Sequence, residues 1–281
     1  DQLAGKGNVA ITSSFVGQQP ATYAINSIFV WTSGPHEALI KVNLVNGSGV
    51  NVEMLKEQIR EEAVKQMPNA SISFEPADLV DQVISQGSST PIEVLVQGKD
   101  LVQGRQYAEK LKGEMSKIAY LRDVQIGIPL DYPSIQINYD RVRMGQIGLS
   151  IEQAGKSVTA AVASSRNTQP VYWLDKAGGN SYQVQVEYPQ YLMSSPEQIE
   201  QIPVSHVEGN NLYLRDIASW KKTNTVGEYD RLNQQRFITV TANLYEKDLG
   251  AGVKQVNHAI QKLGQLPTGM KVYLRGQSEL L

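Results

Sequence analysis

The chain has 281 residues, 41% of them hydrophobic and 19% charged, enough apolar side chain for two or three compact units with real cores, which excludes disorder. A formal net charge of -2 supplies no basic surface for a phosphate backbone or an anionic lipid face, which argues against a nucleic-acid partner. With no cysteine there is no disulfide framework, thiolate catalysis or cysteine zinc site, and no apolar run approaches the roughly 20 residues of a membrane-spanning helix.

In chain order, Asn8-Val9-Ala10-Ile11 reads as a strand that empties into a polar segment from Ser13 to about Pro35. That segment carries Phe15, Tyr23, Phe29 and Trp31, a heavy aromatic load for a loop. Leu39 to Leu44 alternates as a second strand and is broken by Asn46-Gly47-Ser48-Gly49. The spacing of Val52, Leu55, Ile59, Ala63 and Met67 predicts a helix, with Pro68-Asn69 as its stop and Ser71-Ile72-Ser73-Phe74 as the next strand.

After the punctuation Gly87-Ser88-Ser89-Thr90-Pro91, a second unit opens with the strand Ile92-Glu93-Val94-Leu95-Val96. Asp100 is placed to cap a helix whose stripe is Leu101, Gly104, Ala108, Leu111, Met115 and Ile118, and Val124 to Ile128 is the strand that follows. Ile135 and Ile137 share a face of the next strand, which exits at Asp140-Arg141. Ser150 and Gln153 then form a capping-box pattern ahead of a helix with Ile151, Ala154, Val158 and Ala161 along one side. The region beyond is mainly β: Tyr182 to Tyr188 alternates strictly, and Leu212-Tyr213-Leu214 returns after Asn210-Asn211. Phe237 to Leu244 is a strand, Val253, Val256, Ile260 and Leu263 mark a helix ended by Gly264, and Lys271-Val272-Tyr273-Leu274 closes the series.

This order predicts an α+β fold in which a ferredoxin-like, split βαβ unit is interrupted by an inserted mainly-β domain. The first unit lacks an opening strand and helix by the same rule, and there is no initiator methionine or signal peptide. The chain is therefore expected to be a piece of something larger.

Catalytic signatures do not accumulate. His36, His206 and His258 show no paired ligand spacing, so no metal site is expected. Gly250-Ala251-Gly252 fails the dinucleotide fingerprint because Gln255 stands where the third glycine belongs. No nucleophile elbow, phosphate loop or paired-carboxylate pattern is present, and the expectation is a protein with no catalytic residue, no cofactor and no enzymatic activity. Asp140-Arg141 and Asp230-Arg231 read as solvated or interface ion pairs. Met67 and Met115 fall on core stripes, which favours gap-filling over a soft-metal relay.

Tyr132-Pro133-Ser134-Ile135-Gln136-Ile137-Asn138-Tyr139-Asp140-Arg141, running through Met144-Gly145-Gln146-Ile147-Gly148-Leu149-Ser150 into a helix, resembles the passage from porter strand to docking domain in resistance-nodulation-division (RND) efflux pumps. In the same order, Thr90-Pro91-Ile92-Glu93-Val94 with Gly98-Lys99-Asp100, Leu121-Arg122-Asp123-Val124-Gln125, Tyr229-Asp230-Arg231-Leu232-Asn233, Leu266-Pro267-Thr268-Gly269 and Gly276-Gln277-Ser278 resemble later segments of that family's second periplasmic loop.

The resemblance implies the periplasmic portion of a bacterial inner-membrane proton antiporter of the acriflavine-resistance type. Such a pump is a homotrimer that exports amphiphilic small molecules through a periplasmic adaptor and an outer-membrane channel. Residues 1–89 would be one porter subdomain, 90–132 with 235–281 a second, and 133–234 an inserted docking subdomain. It further implies a substrate path at Phe15 and Val16, on a switch loop, and at Ile92, Val94, Val96 and Gln125, on a cleft wall. Export of heavy metals and a stand-alone small-molecule-binding protein are the alternatives.

Overall fold

In a computed structural model the chain forms two compact units, Asp1–Tyr132 with Val226–Leu281, and Pro133–Thr225. The structure describes residues 2–17, 32, 34–75, 88–128, 130–207 and 209–277. Its elements begin with β1 (Val9–Val16), β2 (Ala38–Leu44), α1 (Val52–Gln66), β3 (Ile92–Gln97), α2 (Leu101–Met115) and β4 (Leu121–Ile126). Next come β5 (Tyr132–Tyr139), α3 (Arg141–Gln146), α4 (Ile151–Ala163), β6 (Val171–Leu174), β7 (Ser181–Val184), β8 (Pro203–Val207), β9 (Asn210–Tyr213) and β10 (Ala218–Thr225). The chain closes with β11 (Arg231–Leu232), β12 (Gln235–Leu244), α5 (Leu249–Lys262) and β13 (Lys271–Arg275).

The main sheet of the first unit runs β4-β12-β3-β13, every pair antiparallel, with β11 beside the start of β12. With β3-α2-β4 before the insertion and β12-α5-β13 after it, the topology is the ferredoxin-like split βαβ. Local chemistry sets the helix starts: Asp100 accepts from the amides of Val102 (2.8 Å) and Gln103 (3.2 Å), and Asp248 accepts from Ala251 (2.8 Å). Both helices cover one face of the sheet. Tyr107, Ala108, Leu111 and Met115 of α2 and Val256 of α5 join Ile92, Val94, Val96, Ile238, Val240 and Ala242 in a single core. Gly252 sets how closely α5 approaches, because a Cβ there would lie 2.8 Å from Leu244 and 3.0 Å from Ile92.

Several local expectations are revised. β1 continues to Val16 because β2 runs beside it, Phe15 opposite Leu39 and Val16 opposite Ala38, so these two residues belong to a ladder and not to a loop. Tyr23, Phe29 and Trp31 lie outside the described residues. Ser71 to Phe74 forms no strand. On α1 only Leu55, Ile59 and Ala63 of the expected stripe are even partly covered, and Met67, at the helix end, is 52% exposed rather than core.

The second unit packs Met144, Leu149, Ala154, Val158, Ala161, Ile202, Val204, Leu214 and Ile217 into its own core. Its strands form the pairs β5-β10, β6-β7 and β8-β9. Asp140 proves to be a helix cap rather than half of an ion pair, accepting from the amides of Val142 and Arg143. Ser150 and Gln153 make the reciprocal capping box, each contact 3.1 Å. β7 stops at Val184, short of the expected Tyr188, because its partner β6 has only four residues to offer.

Glu114 of α2 ties the two covering helices together, accepting from Lys262 of α5 (2.6 Å) and from Lys117 (2.5 Å). Hydrogen bonds from both ammonium groups hold its carboxyl down at about 2. A carboxyl whose pKa falls on folding contributes stability that is complete above its unfolded value and is lost as pH drops towards the folded one. Glu114→Gln is therefore expected to flatten the acid limb of stability between about pH 4.5 and 2 while leaving its shape near neutrality unchanged; urea unfolding followed across that pH range checks it.

Candidate functional site

The main sheet has two unlike faces, and the difference is written into its strands. Ile92, Val94 and Val96 alternate with Glu93, Leu95 and Gln97; Ile238, Val240 and Ala242 alternate with Thr239, Thr241 and Asn243. Strand alternation sends the first set towards α2 and α5 and the second set to the opposite face, which neither of those two helices covers. Cross-strand register then assembles a transverse row there: Arg275 opposite Glu93, Glu93 opposite Thr241, and Thr241 opposite Gln125.

Although polar, this face is covered: Glu93 is 8% exposed, and Gln97, Thr239 and Thr241 are also buried. Most of its groups are satisfied. The Tyr273 hydroxyl donates to Gln97 Oε1, Gln97 Nε2 donates to the Leu232 carbonyl at 2.9 Å, and the Thr241 hydroxyl donates to the Gln125 carbonyl at 3.4 Å. Glu93 is the exception, since its Oε2 is buried with no hydrogen-bond partner among the described residues. A buried polar atom left unsatisfied costs about 1–3 kcal/mol, and more for a charge; the Tyr107 hydroxyl, in the helix-side core, is the other buried side-chain atom without a partner among the described residues.

A second polar cluster sits where α1 meets the β4 edge. Arg60 grips Asp123 with both arms of its guanidinium, Nε to Oδ1 at 2.8 Å and Nη2 to Oδ2 at 2.6 Å, and also contacts Glu57. Glu57 accepts from Arg122 at 3.1 Å, while Asn243 Nδ2 donates to Asp123 Oδ2 at 2.8 Å and reaches Ser73 Oγ at 3.2 Å. Arg60 stacks on the Phe74 ring and Arg122 on the Tyr245 ring. Burial on its own would lower the Arg60 pKa, but the Asp123 and Glu57 carboxylates more than offset it, and Arg60 stays charged with a raised pKa. Asp123 adopts a left-handed backbone (φ 54°), where β4 and β12 slip register between Thr241 and Asn243.

The expected path residues are divided among three surfaces. Ile92, Val94 and Val96 are 0–1% exposed and sealed beneath the helices, so they form core and not an open wall. Gln125 lies on the opposite face, in the row with Glu93. Phe15, half-buried, and Val16, 72% exposed, belong to the separate β1-β2 sheet. Sequence reading passed over Glu93, Thr241 and the Arg60–Asp123 pair. The polar positions 93 and 97, matched by 239, 241 and 243, were the available signal for the first two.

Donors for a soft metal are scattered. Met115 and Met270 are buried in the first core, Met144 is buried and Met193 half-buried in the second, and Met54 and Met67 are exposed on or at the end of α1. His206 hydrogen-bonds Asn211 at 3.0 Å, and the His36 ring meets the Tyr132 ring at a tilt, with centroids 5.1 Å apart. Among the described residues no group of three or more histidines and carboxylates could hold a metal ion, and no helix is long and apolar enough to cross a membrane.

The profile of the AcrB/AcrD/AcrF family matches residues 29–280. The chain belongs to that family of RND transporters. Among its relatives, the nickel-cobalt-cadmium resistance protein NccA of Alcaligenes xylosoxydans xylosoxydans is 24% identical over 82% of this chain and 21% of its own length. The cation efflux system protein CusA of Escherichia coli (strain K12) is 23% identical over 71% of this chain and 18% of its own length. The multidrug resistance protein MdtC of Pectobacterium carotovorum subsp. carotovorum is 23% identical over 64% of this chain and 17% of its own length. A crystal structure of a heavy metal efflux pump superposes on 97% of this chain and 28% of that one, with a TM-score of 0.75 at 19% identity, and shares the fold. The chain thus spans about a fifth of the length of the relatives it matches.

Breaking the Arg60–Asp123 pair strands a carboxylate whose side chain is only 5% exposed. Arg60→Ala is expected to lose about 2–4 kcal/mol, somewhat under the figure for a fully buried pair because Arg60 retains some solvent contact. Arg60→Lys should recover roughly half of that, since the charge returns without the two-armed fork. Chemical denaturation of both variants in low and high salt checks this, with little salt dependence expected.

Proposed function

We propose that this family member is the periplasmic porter and docking portion of a proton-driven RND exporter whose substrates are metal cations. The observation that carries the reading is the interrupted split βαβ unit with one apolar, helix-covered face and one polar, carboxylate-bearing face. Residues 1–89 act as one porter subdomain, 90–132 with 235–281 as the second, and 133–234 as the docking subdomain. The exposed hairpin of β6 and β7, with Tyr172, Trp173, Leu174 and Tyr182 all more than half exposed, supports an assembly surface in the docking part. Adaptor, outer-membrane channel and homotrimer follow from this reading of the family.

Two points favour cations over amphiphiles. Metal-resistance proteins are prominent among the relatives. Ile92, Val94 and Val96, the aliphatic wall that would suit amphiphiles, pack against α2 and α5, whereas the opposite face, also buried, carries carboxylate, hydroxyl and amide oxygens. Amphiphile export is the second reading, supported by the likeness to MdtC and by the dispersal of methionine and histidine.

Deleting the parent gene distinguishes them. Growth should become several-fold more sensitive to nickel, cobalt, cadmium or zinc salts, with dye, detergent and antibiotic tolerance unchanged. Sensitisation to dyes and detergents alone would replace the cation reading by the amphiphile one.

A further inference from the structure

Among the described residues, Glu93 is the charged group of the sheet with a buried oxygen that has no hydrogen-bond partner. We propose that Glu93, with Thr241 and Gln125 beside it in the same transverse row, forms a transit site for a divalent metal cation on the face turned away from α2 and α5. This names a contact for the exporter function and rests on that reading. Glu93 is nine-tenths buried, and its Oε2 has no partner among the described residues.

The neighbours along the row are oxygen-bearing. Thr241 lies opposite Glu93 and directs its hydroxyl proton to the Gln125 carbonyl, which leaves the hydroxyl lone pairs for an incoming cation. Gln125, opposite Thr241, adds a carboxamide oxygen to the row. One anionic and two neutral oxygens are a donor set for hard and borderline divalent ions and a poor one for copper(I), which prefers sulfur.

On the other side of Glu93 stands Arg275, which makes interactions of its own. A positively charged residue at that register position lowers what a cation gains there relative to a lone carboxylate. Weak binding suits conduction, where a site must be favourable enough to enter and loose enough to leave. A cage of several carboxylates would trap the ion instead.

The test is calorimetric titration of the 281-residue chain with Co2+, Ni2+ and Cd2+ near pH 7, for the natural chain, Glu93→Gln and, as a surface control, Glu109→Gln. The natural chain and the control should bind one ion with equal affinity, and Glu93→Gln at least tenfold more weakly. The thermal transition of Glu93→Gln should not fall, because the amide keeps the volume and removes a stranded charge, which separates lost binding from lost folding. No binding by the natural chain, or equal binding by Glu93→Gln, overturns the site. If a strain lacking the parent gene is cation-sensitive while Glu93→Gln binds normally, the site fails and the exporter reading stands. A cation-tolerant deletion strain removes the exporter reading, and the titration still decides whether Glu93 binds cations.

Discussion

The pairing of β12 with β3 on one edge and β4 on the other is the constraint from which the first unit follows. Phe237 lies opposite Gln97 and Val240 opposite Ile126, so the ladder joins segments separated by the whole inserted unit. Closing so long a loop costs entropy, although that cost grows only slowly with length, and a ladder of backbone hydrogen bonds backed by an apolar face recovers it. Once β12 is seated between β3 and β4, α2 and α5 are confined to one face, and β13 completes the far edge.

That geometry separates stability from function by face. The helix side holds Leu111, Met115, Ile92 and Val94, all fully buried, each contributing on the order of 1.5–3 kcal/mol. The opposite side spends some of this margin on buried polar groups, including one carboxylate oxygen with no partner among the described residues. The Arg60–Asp123 fork adds rigidity at the β4 edge, where the register slip would otherwise leave Asp123 in an uncompensated left-handed conformation. A rigid edge and an incompletely satisfied face are what a site held for a passing ligand requires, since the scaffold must not collapse onto the unused donors.

What could be read from the sequence was local. Asp100 and Ser150 sit at helix starts because capping needs only the next three residues, and the stripe of Gly104, Ala108, Leu111 and Met115 is legible from spacing alone. The choice between the two faces of β3 was not, because period-two alternation defines two sides without saying which one the helices cover. β10 escaped notice because Trp220-Lys221-Lys222-Thr223 carries no apolar alternation; its ladder partner β5 holds it. Phe15 and Val16 were read as loop because β2, which orders them, begins more than twenty residues later. Arg60 and Asp123 are 63 positions apart, and no local rule joins them.

The donor inventory gives the two-faced sheet its functional direction. All six methionines and all three histidines fall among the described residues, in separate cores, on exposed helix turns and in a hairpin, and cysteine is absent. Sulfur and imidazole therefore do not converge among the described residues, and the cation contact proposed above rests on oxygen. Ile92, Val94, Val96, Ile238 and Val240 pack against α2 and α5, whereas Leu95 and Phe237 share the other face with Glu93, whose register partner on β13 is Arg275. That oxygen lies on a buried face, at Glu93, whose Oε2 has no hydrogen-bond partner among the described residues.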